Sequence, residues 1–196
     1  MADDAYIEYM TRQVDQFREQ GRWVLGPDVS FMVRGARFDE DGIYLDYDVE
    51  PGPGKRGLVD LPDRRVLMEL LARTYHVRSK WADRETGRDR RLPPESWDEL
   101  VMRHFPVYRC GLAVGAGWGD LLMATADWIG EVDPYYPGFV DVKDKMGGLE
   151  LAGPVSDVDI VDDIIASAEQ LSEFICEVCG KPGWNRDGRT VCRDHE

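Results

Sequence analysis

Cys176-Glu-Val-Cys179-Gly-Lys-Pro-Gly183, then residues 184–191, then Cys192-Arg-Asp-His195 close the 196-residue chain. Cys-x₂-Cys followed after twelve residues by Cys-x₂-His is the ligand set of a tetrahedral zinc site. Four protein ligands leave no open position for water or substrate, so the expected role of Zn²⁺ is structural. Gly180 and Gly183 suit the tight turn after the first pair, and Asn185 to Gly188 suits a hairpin tip leading to the second. A redox Cys-x-x-Cys is the competing reading, and it leaves the second pair as a coincidence. Short knuckles rarely fold without their ion, so binding is expected to supply several kcal/mol of local folding energy.

The residues just upstream determine how that element is held. Ile160, Val161, Ile164, Ile165, Ala168, Leu171 and Ile175 recur at helical spacing and predict a long helix from Pro154 and Ser156 running directly into Cys176. Asp157, Asp159, Asp162 and Asp163 load its first turns, where acids suit the helix dipole. As a hard-cation site those acids lack the glycine-turned loop that calcium sites use. Phe139–Lys145 and Leu149–Leu151 alternate around Gly147-Gly148 and predict a hairpin. Val107–Val114 predicts a strand, and Gly115-Ala-Gly117-Trp118-Gly119-Asp120 a turn into a helix through Ile129. Three glycines before a helix suit an anion cradle, yet no lysine follows, and tight strand-to-helix packing is the better explanation. Ser96-Trp97-Asp98-Glu99 reads as a capping box for a helix burying Trp97, Leu100 and Val101 and ending near His104.

In the N-terminal half, Tyr6, Met10, Val14 and Phe17 mark an amphipathic helix over residues 3–20, with Gly21 closing it. Arg22–Leu25 and Val29–Val33 follow as further short segments. Gly35–Val49 alternates around Asp41-Gly42, a strong hairpin signal, with Ile43, Leu45 and Tyr47 on one face and Tyr44, Asp46 and Asp48 on the other. Pro51-Gly-Pro-Gly54 predicts an exposed loop or boundary. Asp60 is the expected N-cap of a second helix, with Pro62 in its first turn. Val66, Leu67, Leu70, Leu71 and Tyr75 form its buried stripe, and His76 lies on its polar face. That helix leads into the basic stretch Arg78 to Arg91, which includes Lys80, Arg84, Arg88 and Arg90.

Charge narrows the function classes. The net charge is −14, and residues 111–175 carry 13 acids against Lys143 and Lys145 alone. Such a surface repels nucleic acid and favours a protein partner with a basic surface. The apolar runs are too short to span a bilayer and nothing after Met1 resembles a signal peptide, so a cytoplasmic protein is expected. Lys143 and Lys145 share one strand face, placed to pair with helix carboxylates or to hold an anionic ligand. Cys110 with His104 and Asp120 can be drawn as a nucleophile, although a mid-strand cysteine is also an ordinary small apolar side chain.

Gly115-x-Gly117-Trp118-x-Asp120-Leu121, Val142-Lys-x-Lys145-x-Gly147-Gly148-Leu149 and the Cys176–His195 element occur in that order. Together they resemble a family of uncharacterised bacterial and phage proteins with a Gly-Asp-Gly-Trp turn, a Lys-Glu-Lys-Phe-Gly strand and a terminal zinc knuckle. The likeness covers about residues 97–196. Ala116 stands where the family has an acid, Met146 where it has an aromatic residue and Glu150 where it has a base. The resemblance brings no established activity, and it suggests a phage or mobile-element regulator or inhibitor of a host factor.

The expected fold is α+β: two antiparallel hairpin-based sheets, four to five helices and a small C-terminal zinc knuckle. Residues 1–95 and 96–175 form α+β regions and 176–196 a knuckle packed on the core, as separate units or one compact unit. The expected function is non-enzymatic protein binding. Two alternatives stay open. One is a zinc-knuckle nucleic-acid-binding protein using Arg78–Arg91. The other is an enzyme with a site near Gly115–Asp120 and Lys143/Lys145. Trp118, Asp120, Lys143 and Lys145 are the candidate ligand or partner contacts.

Overall fold

In a computed structural model, residues 2–39, 41–56, 59–80, 82–83, 88–89, 98, 101–102 and 105–196 are described. Helix α1 (Ala2–Leu25) buries Tyr9, Met10, Phe17 and Val24. It does not stop at Gly21. An added Cβ there would lie 2.6 Å from the Phe31 ring and 2.9 Å from the Met68 methyl, so this glycine lets two other elements approach the helix. The stop is Gly26, at φ +83, whose N–H donates to the Arg22 carbonyl (3.0 Å), a glycine C-cap that leaves Arg22–Leu25 helical.

Strands β1 (Phe31–Asp39) and β2 (Gly42–Val49) form the expected antiparallel hairpin, turning at Gly42 with φ +130. Their faces are as the alternation predicts: Ile43 is buried and Leu45 and Tyr47 half-buried, while Tyr44, Asp46 and Asp48 are exposed. Phe17 sits at the centre of an aromatic cluster, 5.7 Å from Phe31, 5.4 Å from Tyr47 and 5.7 Å from Tyr75. The Pro51–Gly54 stretch leads into a second hairpin, β3 (Pro53–Arg56) with β4 (Val59–Asp63). Pro62 therefore lies in a strand, and helix α2 (Arg64–Lys80) begins later than expected. Its cap is Asp63, whose carboxylate accepts the Arg65 N–H at 2.8 Å. Helix α2 ends at Lys80, followed by the short antiparallel pair β5 (Ala82–Asp83) and β6 (Arg88–Asp89), so Arg78–Arg91 is not one helical face.

The Ser96–Glu99 capping box, Trp97 and His104 lie outside the described residues, while Asp98, Val101 and Met102 are helical. The expected Val107–Val114 strand shrinks to β7 (Leu112–Ala113) plus an isolated Tyr108–Phe139 bridge. Tyr108 turns inward there, its hydroxyl donating to the Leu122 carbonyl (2.6 Å). Helix α3 (Gly119–Val132) then crosses to β8 (Asp141–Lys145), which pairs in parallel with β7 and antiparallel with β9 (Gly148–Ala152). Helix α4 (Asp159–Ser172) starts after Ser156, whose hydroxyl accepts the Val158 N–H (3.0 Å). A turn over residues 173–175 separates α4 from Cys176, where a continuous helix was expected. The last pair is β10 (Trp184–Arg186) with β11 (Arg189–Val191).

The α+β class is therefore present, with five small sheets among the described residues where two were expected. Buried side chains from Tyr9 to Ile175 form one cluster, centred on α2 where it meets α3, α4 and β2. No helix among the described residues is long and apolar enough to cross a membrane.

The Asp63 cap yields a prediction. Its hydrogen bond from Arg65 holds the carboxyl below its ordinary pKa, against an opposing effect of burial. A lowered carboxylate pKa stabilises the fold above the ordinary value of about 3.9 and loses that contribution as pH falls through the lowered folded value. Asp63→Ala is expected to cost about 1 kcal/mol at pH 7. In thermal melts, its difference from wild type should shrink below about pH 4.

Candidate metal centre

The donor atoms of Cys176, Cys179, Cys192 and His195 all lie within 4.8 Å of one another. His195 Nδ1 is 3.5 Å from Cys176 Sγ and 3.3 Å from Cys192 Sγ, and Cys179 Sγ is 3.6 Å from Cys192 Sγ. Metal–sulfur bonds of about 2.3 Å and metal–nitrogen bonds of about 2.0 Å set tetrahedral edges of roughly 3.5–3.8 Å. Three of the six donor separations thus lie near tetrahedral edges, and none exceeds 4.8 Å. Main-chain bonds shape the loop: Gly180 N–H to the Cys176 carbonyl (2.8 Å), Cys176 N–H to the Lys181 carbonyl (2.8 Å) and His195 N–H to the Cys192 carbonyl (3.0 Å).

Electrostatics favour a cation among them. Burial raises the Cys179 thiol to about 12. Burial also pushes Cys176 up, but the N–H groups of Cys192, Cys179 and Val178, with His195, outweigh it and bring that thiol to about 7. Neighbouring thiols pulled in opposite directions cannot all ionise on their own, and a divalent ion removes the conflict. Lys181 pairs with Asp194 (2.7 Å) and also lies in the field of Cys179 and Cys192.

The sequence motifs meet on this element. Gly117 N–H donates to the Glu177 carbonyl at 2.8 Å. A Cβ on Gly117 would lie 2.1 Å from the Cys176 carbonyl oxygen and 2.7 Å from the Cys179 nitrogen, and one on Gly115 would lie 2.2 Å from the Glu177 carbonyl oxygen. These glycines are the close approach of turn to knuckle. Trp118 is fully buried, its indole N–H donating to the Ile175 carbonyl (2.8 Å). Asp120 binds Arg78 Nε (3.0 Å), and the same guanidinium donates to the Gly180 carbonyl (2.6 Å). From the other side, Thr190 donates to the Gly147 carbonyl (2.5 Å) and Asn185 to the Met146 carbonyl (2.7 Å). Trp23 of α1 meets Trp184 edge-on at 6.4 Å.

Lys143 and Lys145 go elsewhere. Lys143 pairs with Asp141 and with Glu150 (3.4 Å), and Lys145 with Glu150 (2.6 Å). Their partners are strand acids, not the helix carboxylates expected, because the β8–β9 register sets Lys143 directly opposite Glu150. Cys110 is half-buried with its thiol pushed up by burial, and Asp120 is engaged by Arg78. Among the described residues the Cys176–His195 set is the one cluster of Cys, His, Asp and Glu with metal-ligand spacing. Two contributors were not assigned to this site from sequence. Arg78, read as a phosphate-facing cation, is only 4% exposed. Its place after Leu71, Thr74 and Tyr75 on the buried stripe of α2 was the signal. Buried Gln20 donates to the Phe174 carbonyl (2.7 Å) and accepts from the Tyr75 hydroxyl (2.8 Å).

One equivalent of a divalent ion per chain is expected by elemental analysis, and chelation or Cys179→Ser should lower the melting temperature. Arg78→Ala strands Asp120 in a half-buried site and should cost about 3–5 kcal/mol in denaturant titration. Gly117→Ala should be similarly disruptive, because its methyl meets main chain and not a flexible side chain. Comparison with protein-family models, with curated proteins and with solved structures found no match to this chain.

Proposed function

We propose that this is a zinc-stapled protein-binding module whose acidic face receives a basic surface of another protein. Three thiolates and an imidazole at tetrahedral spacing suit Zn²⁺, a borderline-soft ion. The ion is structural in this reading: its four positions are filled by protein, and the turn around Gly115–Asp120 is occupied by the knuckle it supports.

The observation that carries the binding reading is an open groove of about 890 Å³ between β2, the start of α2 and the start of α4. Asp46, Asp48, Asp63, Glu69, Asp159 and Asp163 line it, with Arg65 as its one basic residue. Arg34 pairs with Asp46 and Asp48, Arg65 with Asp63 and Arg73 with Glu69. Asp159 and Asp163 have no ion-pair partner among the described residues. Burial first, then Asp63, Asp162 and Asp159, raises the Asp163 carboxyl above its ordinary pKa. A raised carboxylate pKa marks a charge that the fold holds at a cost, which an incoming cation relieves.

Asp163→Asn should therefore leave the melting temperature at pH 7 unchanged or raise it, while weakening partner binding. The immobilised chain is expected to capture basic proteins from a cell extract at about 50 mM salt, and capture should decline as added salt screens the charges. Asp159→Asn combined with Asp163→Asn should abolish capture. Equal capture by wild type and the double variant, or none by wild type, rejects the proposal. A gel shift with duplex DNA at the same salt tests the nucleic-acid alternative, for which phosphate contacts are strongest at low ionic strength.

A further inference from the structure

We infer that the occupant of this groove is an extended basic segment of the partner protein, added as a third strand along the outer edge of β2; this rests on the protein-binding reading above. The backbone of β2 supplies the first reason. In an antiparallel pair, alternate residues turn their N–H and C=O groups toward the partner strand and the others turn them away. Ile43 belongs to the outward set: its N–H donates to Ser79 Oγ (2.8 Å) and its carbonyl accepts from His76 Nδ1 (3.0 Å). Glu50 belongs to the inward set, donating to the Ser30 carbonyl (2.9 Å). Leu45, Tyr47 and Val49 therefore present their main-chain donors and acceptors away from β1. Among the described residues the β1–β2 sheet has two strands, and no strand pairs with this edge.

Open edges are ordinarily blunted, because an unpaired row of N–H and C=O groups templates another strand. Here α2 caps the edge at Ile43 through His76 and Ser79, and among the described residues no strand pairs with the rest. That part also lines the groove, as do Asp159, Ile160 and Asp163 at the start of α4. Five strand residues span roughly 17 Å at about 3.4 Å each.

Charge identifies the occupant. Successive side chains of an added strand point to opposite faces, so one set meets Val66 and Ile160 and the other meets the carboxylates of the rim. A segment alternating apolar and basic residues satisfies both. Strand addition draws affinity from main-chain hydrogen bonds and specificity from alternate side chains.

The probe is a fluorescein-labelled peptide of sequence Lys-Val-Arg-Val-Lys-Val-Arg, followed by anisotropy with the full chain at about 50 mM salt. Wild type should bind it, and hydrogen exchange should slow at the amides of Leu45, Tyr47 and Val49. N-methylation of the alternate peptide nitrogens that face β2 should weaken binding by about tenfold or more, the loss expected for removed main-chain bonds. Asp163→Asn should weaken it as well. Equal binding of the methylated peptide, or unchanged exchange at those three amides, overturns strand addition while leaving acidic protein binding in place. Failure of the peptide to bind wild type, with capture from extract intact, overturns strand addition in the same way. Loss of both rejects the inference together with the proposed function.

Discussion

A guanidinium that is 96% removed from solvent is the constraint on which the C-terminal half depends. Burying a charge is strongly unfavourable unless hydrogen bonds and an opposite charge replace its hydration. Arg78 finds an anion in Asp120, an acceptor in the Gly180 carbonyl and the face of the Tyr75 ring 4.9 Å away. Asp120 lies in the first turn of α3 and Gly180 in the knuckle, so one cation from α2 joins three parts of the chain. Gly180 is itself fixed by the ligand loop, at φ +71 with its N–H on the Cys176 carbonyl. The ligand loop and the buried cation thus support each other: the loop holds Gly180 in place, and Gly180 completes the shell of Arg78.

Close approach is the second constraint. The turn before α3 and the knuckle loop touch backbone to backbone, which only residues without a Cβ permit, hence Gly115 and Gly117. On the opposite side Met146 and Gly147, both with positive φ, expose two carbonyls to Asn185 and Thr190. The motifs that looked like separate candidates for chemistry are thus two clamps on a single element. Trp118 belongs to the same clamp, with its only polar atom bonded to the Ile175 carbonyl.

How much was legible in the sequence follows from the range of the signals. The ligand set, the Asp41-Gly42 hairpin, the Gly147 hairpin and the stripe of α2 were readable because local spacing dictates them. Gly21 was misread as a helix stop because its role lies in Phe31 and Met68, elements distant in sequence. The N-cap was placed at Asp60 because nothing local reveals that β4 continues through Pro62 to Asp63. Arg78 looked like a surface cation because its anion is 42 residues away. Charge totals indicated an acidic surface suited to a basic partner, but only the packing of α4 beside α2 and β4 distinguishes neutralised acids, such as Glu150 between two lysines, from Asp159 and Asp163.

The staple and the groove are linked through α4. Its C-terminal end is fixed where Gln20 holds the Phe174 carbonyl and Trp118 holds the Ile175 carbonyl, immediately before the first metal ligand. Fourteen helical residues carry that position back to Asp159, roughly 21 Å at about 1.5 Å per residue. A rigid helix anchored at one end sets where its other end stands, and here that end carries the two acids facing β2. Leu151 N–H to Glu169 and Leu149 N–H to Ser172, at 2.9 and 2.7 Å, hold the intervening turns on the sheet. Ordering the knuckle therefore does more than close the chain. It sets where Asp159 and Asp163 stand in the groove they line together with Leu45 through Val49.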